Sequence, residues 1–145
     1  MLRMDKEIYV IIAGSREFSN YELLEEACDH ILENKIKDGY KITVLSGHAR
    51  GADLLGERYA TKKGFEIKTF PADWDRYGRK AGFKRNEKMA ELGNALIAFF
   101  ADGADSKGTK HMVKTAREKN LIVREVYERD FKVVDSEISQ ETSSN

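Results

Sequence analysis

The spacing of apolar positions changes repeatedly along the chain, from runs without interruption to a three- and four-residue rhythm and back. The stretch 8–13 is continuously apolar and rich in β-branched residues, as expected of a strand buried on both faces of a parallel sheet. From about 20 to 37, Leu23, Leu24, Ala27, Ile31 and Leu32 fall on one helical face, and Asp38-Gly39 supplies the stop. A second strand is predicted at 42–45 and a second helix at 52–63, ending at Gly64. A third strand is predicted at 65–70, closed by Pro71, the only proline. Residues 72–81 carry no period and are predicted to be a loop. A helix at 82–92, a strand at 95–100, a turn-rich loop at 102–107, a helix at 108–119 and a strand at 121–126 follow. An edge strand is predicted at 131–134, and the polar, serine-rich stretch 136–145 as a disordered tail.

Alternating strands and helices of this length predict one α/β domain over 1–135, with a mainly parallel sheet of about five strands covered on both faces. Such sheets take ligands at the carboxyl ends of their strands. The glycine-, serine- and arginine-bearing segments all follow predicted strands: Gly14-Ser15-Arg16, 46–51, 71–81 and 102–108. One composite site at that end of the sheet is the simplest reading.

The loop Ser46-Gly47-His48-Ala49-Arg50-Gly51-Ala52-Asp53 leads from a strand into a helix. Glycines admit a close ligand, and a helix start offers unpaired amides and the positive end of the dipole, a setting for phosphate. It reads equally as a tight turn, with Asp53 as a first-turn acid that competes for the same dipole and shifts an anion toward Gly47 and Arg50. Gly108-Thr109, opening the next helix after the fourth strand, repeats the pattern with a hydroxyl added. Ser15 supplies a donor and Arg16 a bidentate anion partner. Between Trp74 and Lys88, the cations Arg76, Arg79, Lys80, Lys84, Arg85 and Lys88 interleave with Trp74, Tyr77 and Phe83. The rings suit stacking on a base and the cations suit phosphate, although a solvated basic loop has the same composition. Asp102, directly after the fourth strand, is a candidate catalytic carboxylate or a turn-holding acid.

Composition narrows the classes. Of 145 residues, 41% are hydrophobic and 34% charged, within the range of globular proteins, and 25 basic residues balance 25 acidic ones. Zero net charge disfavours non-specific nucleic-acid binding. A single cysteine, Cys28, excludes an intrachain disulfide, and His48 and His111 stand isolated, so neither a metal site nor a resident cofactor is predicted. No apolar run approaches a membrane span, and the N-terminus lacks a signal-peptide pattern; a cytoplasmic protein is expected, free of membrane, with homo-oligomers compatible.

The segments IAGSREF (12–18), SGHARGAD (46–53), PADW (71–74), AGFKRNEKM (81–89) and IAFFADGADSKGTKHM (97–112) together resemble the SLOG superfamily, named for Smf/DprA and LOG proteins, and in particular its small YspA/YpsA-like branch. The resemblance implies a Rossmann-like three-layer sandwich whose strand ends bind nucleotides or nucleotide-derived ligands, including NAD and ADP-ribose derivatives. It places Arg85 and Asn86 in that site. LOG-type members hydrolyse the N-glycosidic bond of nucleoside monophosphates with an arginine, matched by Arg85, and a glutamate of a PGGxGTxxE motif. Here Met112 occupies the glutamate position and Ala101-Asp102-Gly103 replaces the prolyl-diglycyl turn. A thioether can neither polarise a ribose hydroxyl nor stabilise an oxocarbenium ion, which leaves Asp102, Asp53 and Glu57 as alternative carboxylates. Three functions stand: a nucleotide-ligand sensor or sequestering module, a hydrolase or transferase acting on a nucleotide's glycosidic or phosphate bonds, and a Smf/DprA-type nucleic-acid binder. Met112 favours the first over the second, and the zero net charge disfavours the third.

Overall fold

The computed structural model describes residues 6–131. Five parallel strands, β1 (Glu7–Gly14), β2 (Lys41–Ser46), β3 (Glu66–Thr69), β4 (Ala95–Phe100) and β5 (Ile122–Tyr127), form one sheet in the order β3-β2-β1-β4-β5. The chain winds outward from β1 to β3, then returns to the other side of β1. The order therefore reverses between β1 and β4, and a crevice opens where their carboxyl ends part.

The pattern that predicts the central strands is also what buries them. Val10, Ile11, Ile12 and Val44 are fully covered, as are Leu96, Ala98 and Phe99. One face packs Ile8, Val10, Ile12, Ile42 and Val44 against α1 (Tyr21–Lys37) and α2 (Ala52–Lys63). The other packs Ile11, Ala13, Leu45, Leu96 and Ala98 against α4 (Ala81–Leu92) and α5 (Lys107–Glu118). Cys28 lies inside the first layer, where burial pushes its thiol pKa up and leaves it a small apolar filler. The edges differ: every residue of β3 is exposed, and Ile122 of β5 is 54% exposed.

The expectations hold for the order and kind of elements within the described residues and fail at one place. Residues 72–81 are not a plain loop. Asp73 caps a short helix, α3 (Trp74–Tyr77), by accepting the Arg76 N–H at 3.1 Å, and a 3-10 turn, Gly78–Lys80, runs straight into α4. A helix this short has no room for an apolar period, so the sequence reads as a loop there. The strand expected at 131–134 lies outside the described residues except for Phe131, which is helical along with 128–130. The tail at 136–145 lies outside them entirely.

The close approach of α2 to β1 sets the crevice. Gly56 sits over Ile12, and a methyl group there would lie 2.6 Å from Ile12 Cγ2. Replacing Gly56 by Ala is expected to destabilise the protein by about 1–3 kcal/mol through overpacking, despite alanine's better helix propensity. Urea unfolding checks this, and adding Ile12→Val should recover part of the loss. An unchanged midpoint would show that the helix can lift off the strand freely.

Candidate functional site

The loops after β1, β2 and β4 meet at the crevice through a few specific contacts. Ser15 is the hinge pin. Its Oγ accepts the Ala101 N–H at 3.1 Å and lies 2.8 Å from Ser106 Oγ, so it joins the β1 loop to the β4 loop from both sides. The Ser15 carbonyl accepts the N–H groups of Phe18 and, at 3.2 Å, of Ala52, fastening the β1 loop to the start of α2. Gly51 lies against the Ser15 and Arg16 carbonyls at φ +84°, a place and a conformation that exclude any other residue.

Behind this seam a carboxylate is buried. Asp53 is 6% exposed, and loss of hydration pushes its pKa up to about 6. The Arg85 guanidinium and the amides of Ala49 and Gly14 pull it back down, and Glu57 adds to the rise. Asp53 Oδ2 accepts the Ala49 N–H at 3.3 Å. Arg85 enters from α4 and donates to the Gly47 carbonyl at 2.7 Å and to Asn86 Oδ1 at 3.0 Å. Burial lowers the Arg85 pKa, Asp53 raises it and Arg16 lowers it, with the guanidinium remaining a cation. Gly47 is hemmed in by Arg85 and Asp53, so a side chain there would collide with both. Asn86, buried, reaches the Gly108 carbonyl at 3.3 Å and His111 Nδ1 at 3.2 Å, tying α4 to α5. The His111 ring stacks on Phe83 with centroids 4.0 Å apart, and burial lowers its pKa, favouring the neutral ring that accepts from Asn86.

The cleft over this floor measures about 450 Å³, a size typical of small-molecule sites. The predicted residues Gly14, Ser15, Arg16, Arg50, Asp53, Trp74, Arg85, Asn86, Gly108 and Thr109 line it. A second lobe of about 350 Å³ adjoins it, shares Arg16, Ala49, Arg50, Trp74 and Arg85, and adds Gly47. Ser46 is buried beneath the cleft, and Gly51, half-buried, supports it against the Ser15 and Arg16 carbonyls. Asp102 does not line either lobe; it sits in the exposed turn, its N–H 3.3 Å from Glu128 Oε1. Of the basic stretch, Arg79 and Arg85 line the main cleft, whereas Lys84 and Lys88 border a separate groove. The two helix starts also differ. At α2 the Ala52 N–H is taken by Ser15, and in the loop before it the Ala49 N–H is taken by Asp53; at α5 the Lys107 N–H is taken by Asp105, and Ser106, Lys107, Gly108 and Thr109 face the cleft. Ser106, Phe83 and Met112 complete the wall. Ser106 was not legible as a site residue, since its partner Ser15 is 91 positions away.

An α/β domain with a polar, arginine-lined crevice at its topological switch point is thus the class that the fold and site define. The family model described as YspA, cpYpsA-related SLOG family matches residues 8–77, from β1 through α3. The Gene 61 protein of Mycobacterium phage D29 is 31% identical over 119 residues, covering 79% of this chain and 92% of that protein. The chain belongs to the YspA, cpYpsA-related SLOG family. Among the described residues no helix is long and apolar enough to cross a membrane, and no cluster of His, Cys, Asp and Glu could hold a metal ion.

Asp53 gives the site a pH signature. Its folded pKa of about 6 lies above the roughly 3.9 of an unfolded aspartate. Its contribution is therefore fully present below about pH 4 and is lost as pH rises through about 6, a swing of about 3 kcal/mol. Asp53→Asn cannot titrate, so its stability relative to the unaltered protein should improve by that order between pH 4 and pH 8, measured by urea unfolding at each pH. A difference independent of pH would mean that the carboxyl titrates as it does in water.

Proposed function

We propose that the cleft binds a small nucleotide-derived ligand, a nucleotide or an NAD or ADP-ribose derivative, and that the protein serves as a sensor or sequestering module for it. One observation carries this reading: Arg16 and Arg50, both exposed, stand on the wall shared by the two lobes, opposite the amide-bearing start of α5. Arg79, Arg85 and Lys107 add to the positive side, against Glu17, Asp53 and Asp105. The phosphates of such a ligand would meet planar, bidentate donors at Arg16 and Arg50 and backbone N–H groups at Gly108 and Thr109. Family membership supports a nucleotide-related role.

The base has a place as well. Trp74 is 51% exposed on the cleft rim, and so much ring surface left in water favours a stacking partner; Phe83, stacked on His111 by one face, adds apolar surface beside it. Met112, buried in the cleft wall, offers a soft apolar surface where N-glycosidic cleavage by the LOG route would need a carboxylate. This favours retention of the ligand over release of its base.

Arg16→Ala and Arg50→Ala are each expected to weaken ADP-ribose binding about ten- to a hundredfold, the worth of a charge-assisted contact of about 1.5–3 kcal/mol. Lys88→Ala, outside the cleft, should stay within about twofold in the same calorimetric titration. Affinities that fall equally in all three variants would assign the effect to general charge rather than to this wall.

A further inference from the structure

The second lobe holds a side chain that ligand retention does not require. His48 adopts φ +59°, a left-handed conformation that glycine would take at less cost. Its ring lines the lobe and is 54% exposed, with Nδ1 2.8 Å from Glu57 Oε2. Glu57 is itself held: Ser46 Oγ donates to the same carboxylate oxygen at 2.7 Å and accepts the His48 N–H at 3.0 Å. Ser46 is fully buried, so it orients the pair rather than reacting. An ionised carboxylate can only accept, so Nδ1 of the neutral ring carries the proton and Nε2 presents its lone pair. A strained backbone thus supports an imidazole of fixed tautomer in a lobe whose other polar side chains are Arg16, Arg50 and Arg85.

We infer that His48 is the acid–base residue of a phosphohydrolase activity, cleaving a phosphoester or phosphoanhydride P–O bond of the ligand in the second lobe. The inference rests on the binding reading above and deepens it. His48 Nε2 takes a proton from water as the water oxygen bonds to phosphorus. The P–O bond to the leaving group breaks, its electron pair goes to the leaving oxygen, and the proton on Nε2 passes to that oxygen, restoring the neutral ring. The arginines offset charge on the phosphoryl oxygens, and the Glu57 carboxylate offsets the transient imidazolium. Asp53, behind Gly47, is the other acid near this loop, and its charge faces Arg85. Glu57 acts through His48 and is a positioning residue.

The test uses the full chain with two probes, ADP-ribose and the p-nitrophenyl ester of thymidine 5′-monophosphate. Binding is read by calorimetry and products by phosphorus NMR. Cleavage at a P–O bond is expected for at least one probe. His48→Gly and His48→Gln should keep affinity within about threefold and lose about a hundredfold or more in kcat. His48→Gly should also be at least as heat-stable as the unaltered protein, because its φ suits glycine, so the loss cannot be assigned to misfolding. Glu57→Gln should lower kcat with KM little changed. Binding of both probes without turnover would overturn the inference and leave the binding reading standing, as would equal turnover by both His48 variants or release of free base instead of P–O cleavage. Failure of both probes to bind would remove both proposals.

Discussion

The arrangement around the crevice depends on one buried negative charge. Asp53 sits beneath the carboxyl ends of β1 and β2, at the start of α2, almost wholly buried. Removing a carboxylate from water is costly, and the surrounding structure is organised to offset that cost. Two backbone amides, from Gly14 and Ala49, point at it from different loops, and Arg85 is brought in from α4 on the opposite face of the sheet. Close enough for its charge to act on Asp53, Arg85 grips the Gly47 carbonyl and donates to Asn86, which carries the connection to α5. Two loops and two helices thus share one electrostatic centre. The absence of space beside Gly47 follows from it.

That centre determines which groups are left for a ligand. Arg85, although it lines both lobes, is hydrogen-bonded to the Gly47 carbonyl and Asn86, and the Ala52 and Ala49 amides are taken by Ser15 and Asp53. Arg16 and Arg50, carried on the loops that the centre holds in place, remain exposed. At the start of α5 the Lys107 N–H is taken by the Asp105 carboxylate, while the loop is fastened to β1 through the Ser15–Ser106 pair and Gly108 and Thr109 face the cleft. A rigid floor beneath mobile-ended arginines is an economical way to meet phosphate, because the fixed groups lose no freedom on binding. The His48–Glu57–Ser46 cluster joins the end of β2, the loop after it and α2.

Much of the fold was legible because parallel strands buried on both faces leave continuous apolar runs, as at Val10–Ile12 and Leu96–Phe99, and because glycines stand at helix ends such as Gly64. What escaped was either too short for a period, as with α3, or decided by distant partners. Asp53 looked like a first-turn acid, and it is one, but the charge that steadies it comes from Arg85 far along the chain. Ser15 looked like a ligand donor, whereas much of its hydrogen bonding is spent on Ala101 and Ser106. His48 looked isolated in sequence, and its link to Glu57 needs the turn of the loop and the first turns of α2 to bring them together. Asp102, attractive by position after β4, stands outside the cleft, since strand ends fan apart at the surface and only residues turned inward reach the crevice.

The central claim is that a nucleotide-derived ligand occupies the crevice between the carboxyl ends of β1 and β4. The most direct measurement is a titration of the ¹⁵N-labelled protein with ADP-ribose, followed through its backbone amide resonances. The account requires the largest shifts at 14–17, 47–51 and 106–109, with the outward face of α1 unmoved. Shifts confined to the edge strands or to α1, or none with ADP-ribose, NAD or AMP at millimolar concentration, would contradict it.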